Sequence, residues 1–210
     1  VNDNNAVIQP GDYKIQIEGI NQLELSQKNR VGFKTSDGHV ELGKNRNMHF
    51  KGTLFAGLTQ SIGDRFDFEY ESFQVKMDSV AALHLFTVTG DIDKNGFPIG
   101  QGIFSTIEQV TGDLLIDAPA NKSGREHIPF FPSLNTTESS YVFYEEALDS
   151  AYWRDSFYFE IFPFSLNYLS FLKEKDLVFP GNLYSASIFP TLQDTLELML
   201  DRSLGMDKIS

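Results

Sequence analysis

Between Arg65 and Met77 the chain alternates polar and apolar residues twice. It runs Arg65-Phe66-Asp67-Phe68-Glu69-Tyr70 and then, after Glu71-Ser72, Phe73-Gln74-Val75-Lys76-Met77. A period of two puts every second side chain on one face of a pleated strand, whereas a helix spreads the same residues around its axis. Tyr13-Lys14-Ile15-Gln16-Ile17-Glu18 alternates in the same way. Further strands are predicted at 48–56, 82–89, 112–117, 141–144, 157–164, 177–188 and 195–200, each bounded by Gly, Asn, Asp or Pro clusters that favour turns. Helix is expected in one place, 165–175, where Ser165 can cap and Leu166, Leu169 and Leu172 recur every third residue. A shorter helical turn is expected around 145–153. The fold class is therefore mainly β: a multi-stranded sheet, sandwich or solenoid-like stacking of strands with one short helix. Residues 1–210 read as a single β-rich domain or as a segment of a larger protein, with a sub-boundary near 118–140.

A chain of 210 residues can bury a substantial core, and without cysteine it does so with neither disulfides nor thiolate metal sites. A formal net charge of -12 repels phosphate backbones. The basic residues Lys122, Arg125 and Arg154 are scattered among acids, so nucleic acid is excluded as a partner. The apolar stretch 80–88 falls far short of the roughly 20 residues that span a bilayer, so no membrane span is expected. An Asn-rich start at Val1 and an end just after a predicted strand are read as the marks of a processed or excised piece. On this reading the remainder of a longer parent chain is a partner.

A phrase recurs along the chain. Phe50-Lys51-Gly52-Thr53-Leu54-Phe55-Ala56-Gly57 is echoed by Phe179-Pro180-Gly181-Asn182-Leu183-Tyr184-Ser185-Ala186, and more loosely by Thr111-Gly112-Asp113-Leu114-Leu115-Ile116. All three share Gly-x-Leu-apolar. Glycine in a strand lets a neighbouring backbone approach closely or lets the strand bend. The phrase fits ordinary core strands of a sheet protein and equally a strand-stacking repeat of irregular length. The order of these phrases, with 66–77 between the first and the last, resembles the β-repeat segments of AsmA-like and TamB-like proteins, very large bacterial envelope proteins. The runs 112–125 and 157–190 are similar in texture to very large Bacteroidetes proteins. The resemblance implies an extracytoplasmic location, in the periplasm or at the cell surface, and a grooved β-structure whose apolar inner face carries lipid. The Pro-rich, aromatic stretch 118–164 departs from that pattern and interrupts any regular groove.

Chemistry-bearing constellations are few. Asp91-Ile92-Asp93-Lys94-Asn95-Gly96 matches the first half of a calcium loop, with oxygen ligands Asp91, Asp93 and Asn95 at alternate positions, but Gly102 stands where the bidentate Glu belongs. The same residues suit a turn between strands. No other cofactor is implied. His39, His49, His84 and His127 lack the close spacing of a zinc motif. Asp67 and Glu69 alternate with phenylalanines and should lie on a solvated face, while Glu160 sits among large apolar neighbours. Glycoside hydrolysis would require a second carboxylate facing it. Nucleophile elbow, P-loop and dinucleotide fingerprint are all missing from the sequence, which argues against an enzyme. The loop 121–125 carries amides and two cations able to hold an anion, or is an ordinary exposed loop.

Aromatic density is the remaining feature, with ten rings between Tyr141 and Phe164. Exposed, such rings stack on sugars or anchor partners; buried, they build core. Tyr144, Tyr152 and Trp153 flank acidic, loop-like sequence and are the expected ligand-binding members. Two functions follow as expectations. One is a non-catalytic β-structural segment of a large cell-envelope protein, contributing to an apolar lipid-carrying groove. The other is a carbohydrate- or ligand-binding β module built on an aromatic platform.

Overall fold

A computed structural model describes residues 15–144, 157–185, 188 and 190–206. Eleven strands precede residue 137: β1 (Ile15–Glu18), β2 (Gln22–Ser26), β3 (Val31–Thr35), β4 (His39–Leu42), β5 (Met48–Ala56), β6 (Thr59–Glu69), β7 (Gln74–Val80), β8 (Ala82–Ile92), β9 (Pro98–Gly102), β10 (Val110–Leu115) and β11 (Ser133–Thr136). Six follow: β12 (Ser140–Phe143), β13 (Phe157–Ile161), β14 (Ser165–Leu166), β15 (Val178–Ser185), β16 (Leu192–Leu198) and β17 (Leu204–Met206). The protein is mainly β, as its alternation requires. All strand pairings are antiparallel, in one curled twelve-stranded sheet and one five-stranded sheet of order β12-β13-β15-β16-β17.

The large sheet forks on β5 and β6. The first half of β6 pairs with β8 and its second half with β7. In the same way, the start of β5 pairs with β4 and its end with β3. The switch occurs at one irregularity, where Phe50 lies opposite Phe66 but Gly52 lies opposite Gly63, so β6 carries one extra residue. A bulge of this kind bends a strand and reverses which side chains face inward. Accordingly Thr59, Ser61 and Gly63 are buried before it, and Phe66 and Phe68 after it.

The recurring phrase has a common physical basis. A Cβ on Gly52 would lie 2.2 Å from the carbonyl oxygen of Lys34, one on Gly112 would lie 2.1 Å from that of Asn135, and one on Gly181 would lie 2.0 Å from that of Glu160. Each glycine admits the adjacent strand's backbone at a distance no other residue permits. The leucines two residues later, Leu54, Leu114 and Leu183, are buried in the core.

One apolar cluster draws on both sheets, with Phe33, Phe66, Phe159 and Phe179 fully buried. Phe33, Phe50 and Phe66 stack across β3, β5 and β6, with ring centroids 3.7 and 5.1 Å apart. Burying side chains of this size stabilises by about 1.5–3 kcal/mol each.

The expected helix over 165–175 is not formed. Ser165 and Leu166 pair with β11, and the rest becomes two 3-10 turns, Leu169–Phe171 and Glu174–Asp176. Tyr168 adopts φ 53°, which breaks a right-handed helix at its centre. The amides of Tyr168 and Leu169 donate to Phe130 and Pro132 instead of to the preceding turn. Leu166, in β14, Leu169, in the first 3-10 turn, and Leu172, in extended backbone just after it, are nonetheless all buried. The expected helical turn at 145–153 falls outside the described residues. Among the described residues no helix is long and apolar enough to cross a membrane.

Candidate functional site

Strands β12, β13 and β15 bury every second side chain: Val142, Phe159, Ile161, Phe179 and Leu183 enter the core. The alternate residues form the outer face of the five-stranded sheet. Pairing sets Phe143 opposite Tyr158 and Tyr158 opposite Tyr184, with Tyr141 opposite Glu160 and Glu160 opposite Asn182 in the next row. Four rings thus form one half-exposed patch. Tyr158 stacks on Tyr184 at 4.9 Å, lies 5.9 Å from Phe143, and meets Tyr141 edge-on at 5.8 Å.

Among the described residues of these strands, Glu160 places its carboxylate within this patch. The Tyr184 hydroxyl donates to Glu160 Oε2 at 3.0 Å. That hydrogen bond, and the carboxylate charge behind it, raise the Tyr184 phenol above its ordinary value. Tyr141 is raised as well, first by desolvation and then by the Glu160 charge. Both phenols are therefore protonated donors at neutral pH. The paired positions beside Glu160 are Tyr141 and Asn182, and Tyr158 precedes it on the same face. None of these supplies the second carboxylate that glycoside hydrolysis requires.

Of the ring residues expected to bind ligand, Tyr152 and Trp153 lie outside the described residues. Tyr144 is described and faces the other way. It packs against the core and meets the Phe157 ring edge-on at 5.9 Å, and burial pushes its phenol up to about 12. The members of the aromatic run that share the outer face are Tyr141, Phe143 and Tyr158, joined by Tyr184 from beyond it. Period-two parity within each strand separates them from Tyr144, but their cross-strand pairing is not visible in the sequence.

Asp91, Asp93 and Asn95 lie in the hairpin joining β8 to β9. Asp93 Oδ1 accepts the amides of Asn95 at 2.8 Å and Phe97 at 2.9 Å, and these bonds hold its carboxyl below the ordinary range. Asp91 is exposed at the end of β8. Among the described residues no three His, Cys, Asp or Glu side chains converge as a metal site would require. His49 bonds through Nδ1 to Asp67, its partner across β5 and β6, and Asp67 also accepts from Arg65. These residues line an open, charged cleft of about 560 Å³. The loop 121–125 is held from within: the Asn121 side chain bonds to Asp117 and to both the amide and the carbonyl of Glu126.

A second groove, of about 1000 Å³, lies between β2 and the β8–β9 hairpin, with Gln22, Glu24 and Gln60 on its walls and Phe55, Phe86 and Phe97 among its lining rings. Comparison of the chain with models of protein families, with curated proteins and with solved structures found no match. The class is thus set by fold and surface: an antiparallel two-sheet β protein with an aromatic outer face.

Proposed function

We propose that the chain is a non-catalytic, extracytoplasmic β module that binds carbohydrate on the outer face of β12, β13 and β15. The observation that carries this reading is the ring patch of Tyr141, Phe143, Tyr158 and Tyr184 around one hydrogen-bonded carboxylate. Aromatic faces receive the C–H faces of a sugar ring, while phenols, an amide and a carboxylate at the edge satisfy its hydroxyls. No cation stands beside Glu160 in either cross-strand direction, and the net charge is -12, so a neutral glycan suits the patch better than a uronate or a sulfated one. A lipid-carrying role has less support. The two clefts at hand are lined by amides and charged groups, which an acyl chain would strip of water without replacing their hydrogen bonds.

The test is binding to immobilised neutral polysaccharides by affinity electrophoresis. Tyr158→Ala is expected to weaken retention about tenfold, a loss of about 1.4 kcal/mol, and Glu160→Gln is expected to alter which glycans are retained. Retention of Tyr158→Ala equal to that of the native chain would remove the proposal.

A further inference from the structure

The groove beside β2 has a chemistry of its own. The side chains of Gln22, Glu24 and Gln60 line it, and among the described residues none makes a hydrogen bond to another. Its cations are committed elsewhere. Arg30 donates to the Pro98 carbonyl at 3.2 Å and lies 5.0 Å over the Phe97 ring, and Lys28 donates to the Gly124 carbonyl at 2.7 Å. Among the described lining residues both cations already give a donor to a backbone carbonyl, and an anionic ligand would also face the carboxylates of Glu24 and Asp93. An apolar one would desolvate two amides and a carboxylate with nothing in return. A neutral polyhydroxylated ligand meets neither objection: each amide offers a donor and an acceptor to neighbouring hydroxyls, and Phe55, Phe86 and Phe97 offer ring surface.

The walls are held in place before any ligand arrives. The Arg30 bond ties the end of the β2–β3 connection to the start of β9, and the amide of Phe86 donates to the Leu58 carbonyl at 3.0 Å. A groove that needs no closure spends little binding energy on ordering itself. Its volume lies at the upper end of the range for small-molecule sites, which suits an oligosaccharide better than a single sugar.

We infer that this groove is a second binding site, for a neutral oligosaccharide, separate from the ring patch of β12, β13 and β15. The inference rests on different residues and stands or falls apart from the first site. The experiment uses one glycan array, printed with neutral, uronate-bearing and sulfated oligosaccharides, probed with the native chain, Tyr158→Ala, Gln22→Ala/Gln60→Ala, and all three substitutions together. The two glutamines have no side-chain bonds to lose, so the fold is preserved; matching thermal melts check this.

The expected result is that Tyr158→Ala keeps binding to a subset of neutral glycans and to no acidic ones, and that adding Gln22→Ala/Gln60→Ala lowers that residual signal at least tenfold. If native binding is untouched by Tyr158→Ala but lost in the glutamine variant, the groove is supported and the ring patch is refuted. A Tyr158→Ala chain that binds nothing refutes the groove, as does residual binding indifferent to the glutamine changes. A preference for uronate or sulfated glycans, or binding to no glycan at all, refutes it too.

Discussion

Tyr141 and Tyr144 stand three residues apart and face opposite sides of one sheet. The first lies on the outer ring patch, and the second, just past the end of β12, turns toward the core beside Phe157. Their phenols record the difference, since desolvation alone carries Tyr144 from its ordinary 10 to about 12. The sign of the stability effect follows. A raised folded-state value means the native protein keeps a proton that the unfolded chain releases, so the contribution is whole below pH 10 and fades as pH rises toward 12. Two pH units of difference correspond to about 3 kcal/mol. Tyr144→Phe has no proton to lose, so its urea midpoint should rise relative to the native chain between about pH 9 and about pH 11. Midpoints that move in parallel would show Tyr144 to be solvated. At this scale the sequence supplied parity within a strand, but the expected platform rested on loop-like flanks, and flanks do not say which face a ring occupies.

At the scale of elements, the alternating runs were legible because a strand buried on one face leaves no other arrangement for them. Arg65 to Glu69 falls in β6 and Gln74 to Met77 in β7, and these strands pair with each other. The segment 165–175 was misread because a leucine every third residue suits a helix, whereas here the three leucines are buried from a strand, a 3-10 turn and extended backbone, a path fixed by amides that bond to Phe130 and Pro132. The Gly-x-Leu phrase was legible as close backbone approach. Gly112→Ala is expected to force β10 and β11 apart, since a methyl would sit 2.1 Å from the Asn135 oxygen. Overpacking of this kind costs about 1–3 kcal/mol in urea unfolding. Gly181→Ala should cost a similar amount and should also disturb the ring patch, because the obstructing oxygen belongs to Glu160. Equal glycan retention by the native chain and a folded Gly181→Ala would separate that patch from binding.

Over the whole molecule, contacts distant in sequence hold the two sheets together. Arg202, in the turn between β16 and β17, donates to the carbonyls of Gln101 and Gly102 at 3.0 Å each and to Thr87 Oγ1 at 2.8 Å. Its neighbour Leu204 donates its amide to Ser105 Oγ. The guanidinium thereby clamps the five-stranded sheet onto the β8–β9 hairpin and caps the outer edge of β9. Hydrogen bonds from a charged group contribute about 1.5–3 kcal/mol each and are not additive, so Arg202→Ala should cost at least about 2 kcal/mol in urea unfolding. Arg202→Lys should recover little, since one ammonium cannot reproduce the fork. Wild-type stability in Arg202→Ala would show the sheets to be held by the apolar core alone. The sequence by itself determined that the chain is β and acidic, and it placed the alternating strands such as β6 and β7, because periodicity and charge are local sums over residues; β2, β3, β4, β9, β11 and β17 were not marked by it. Tertiary structure decided which rings share a face, where the large sheet forks, and which carbonyls Lys28, Arg30 and Arg202 bond. Those depend on register and on partners dozens of residues away, and on a one-residue bulge that reverses the inward face of a strand.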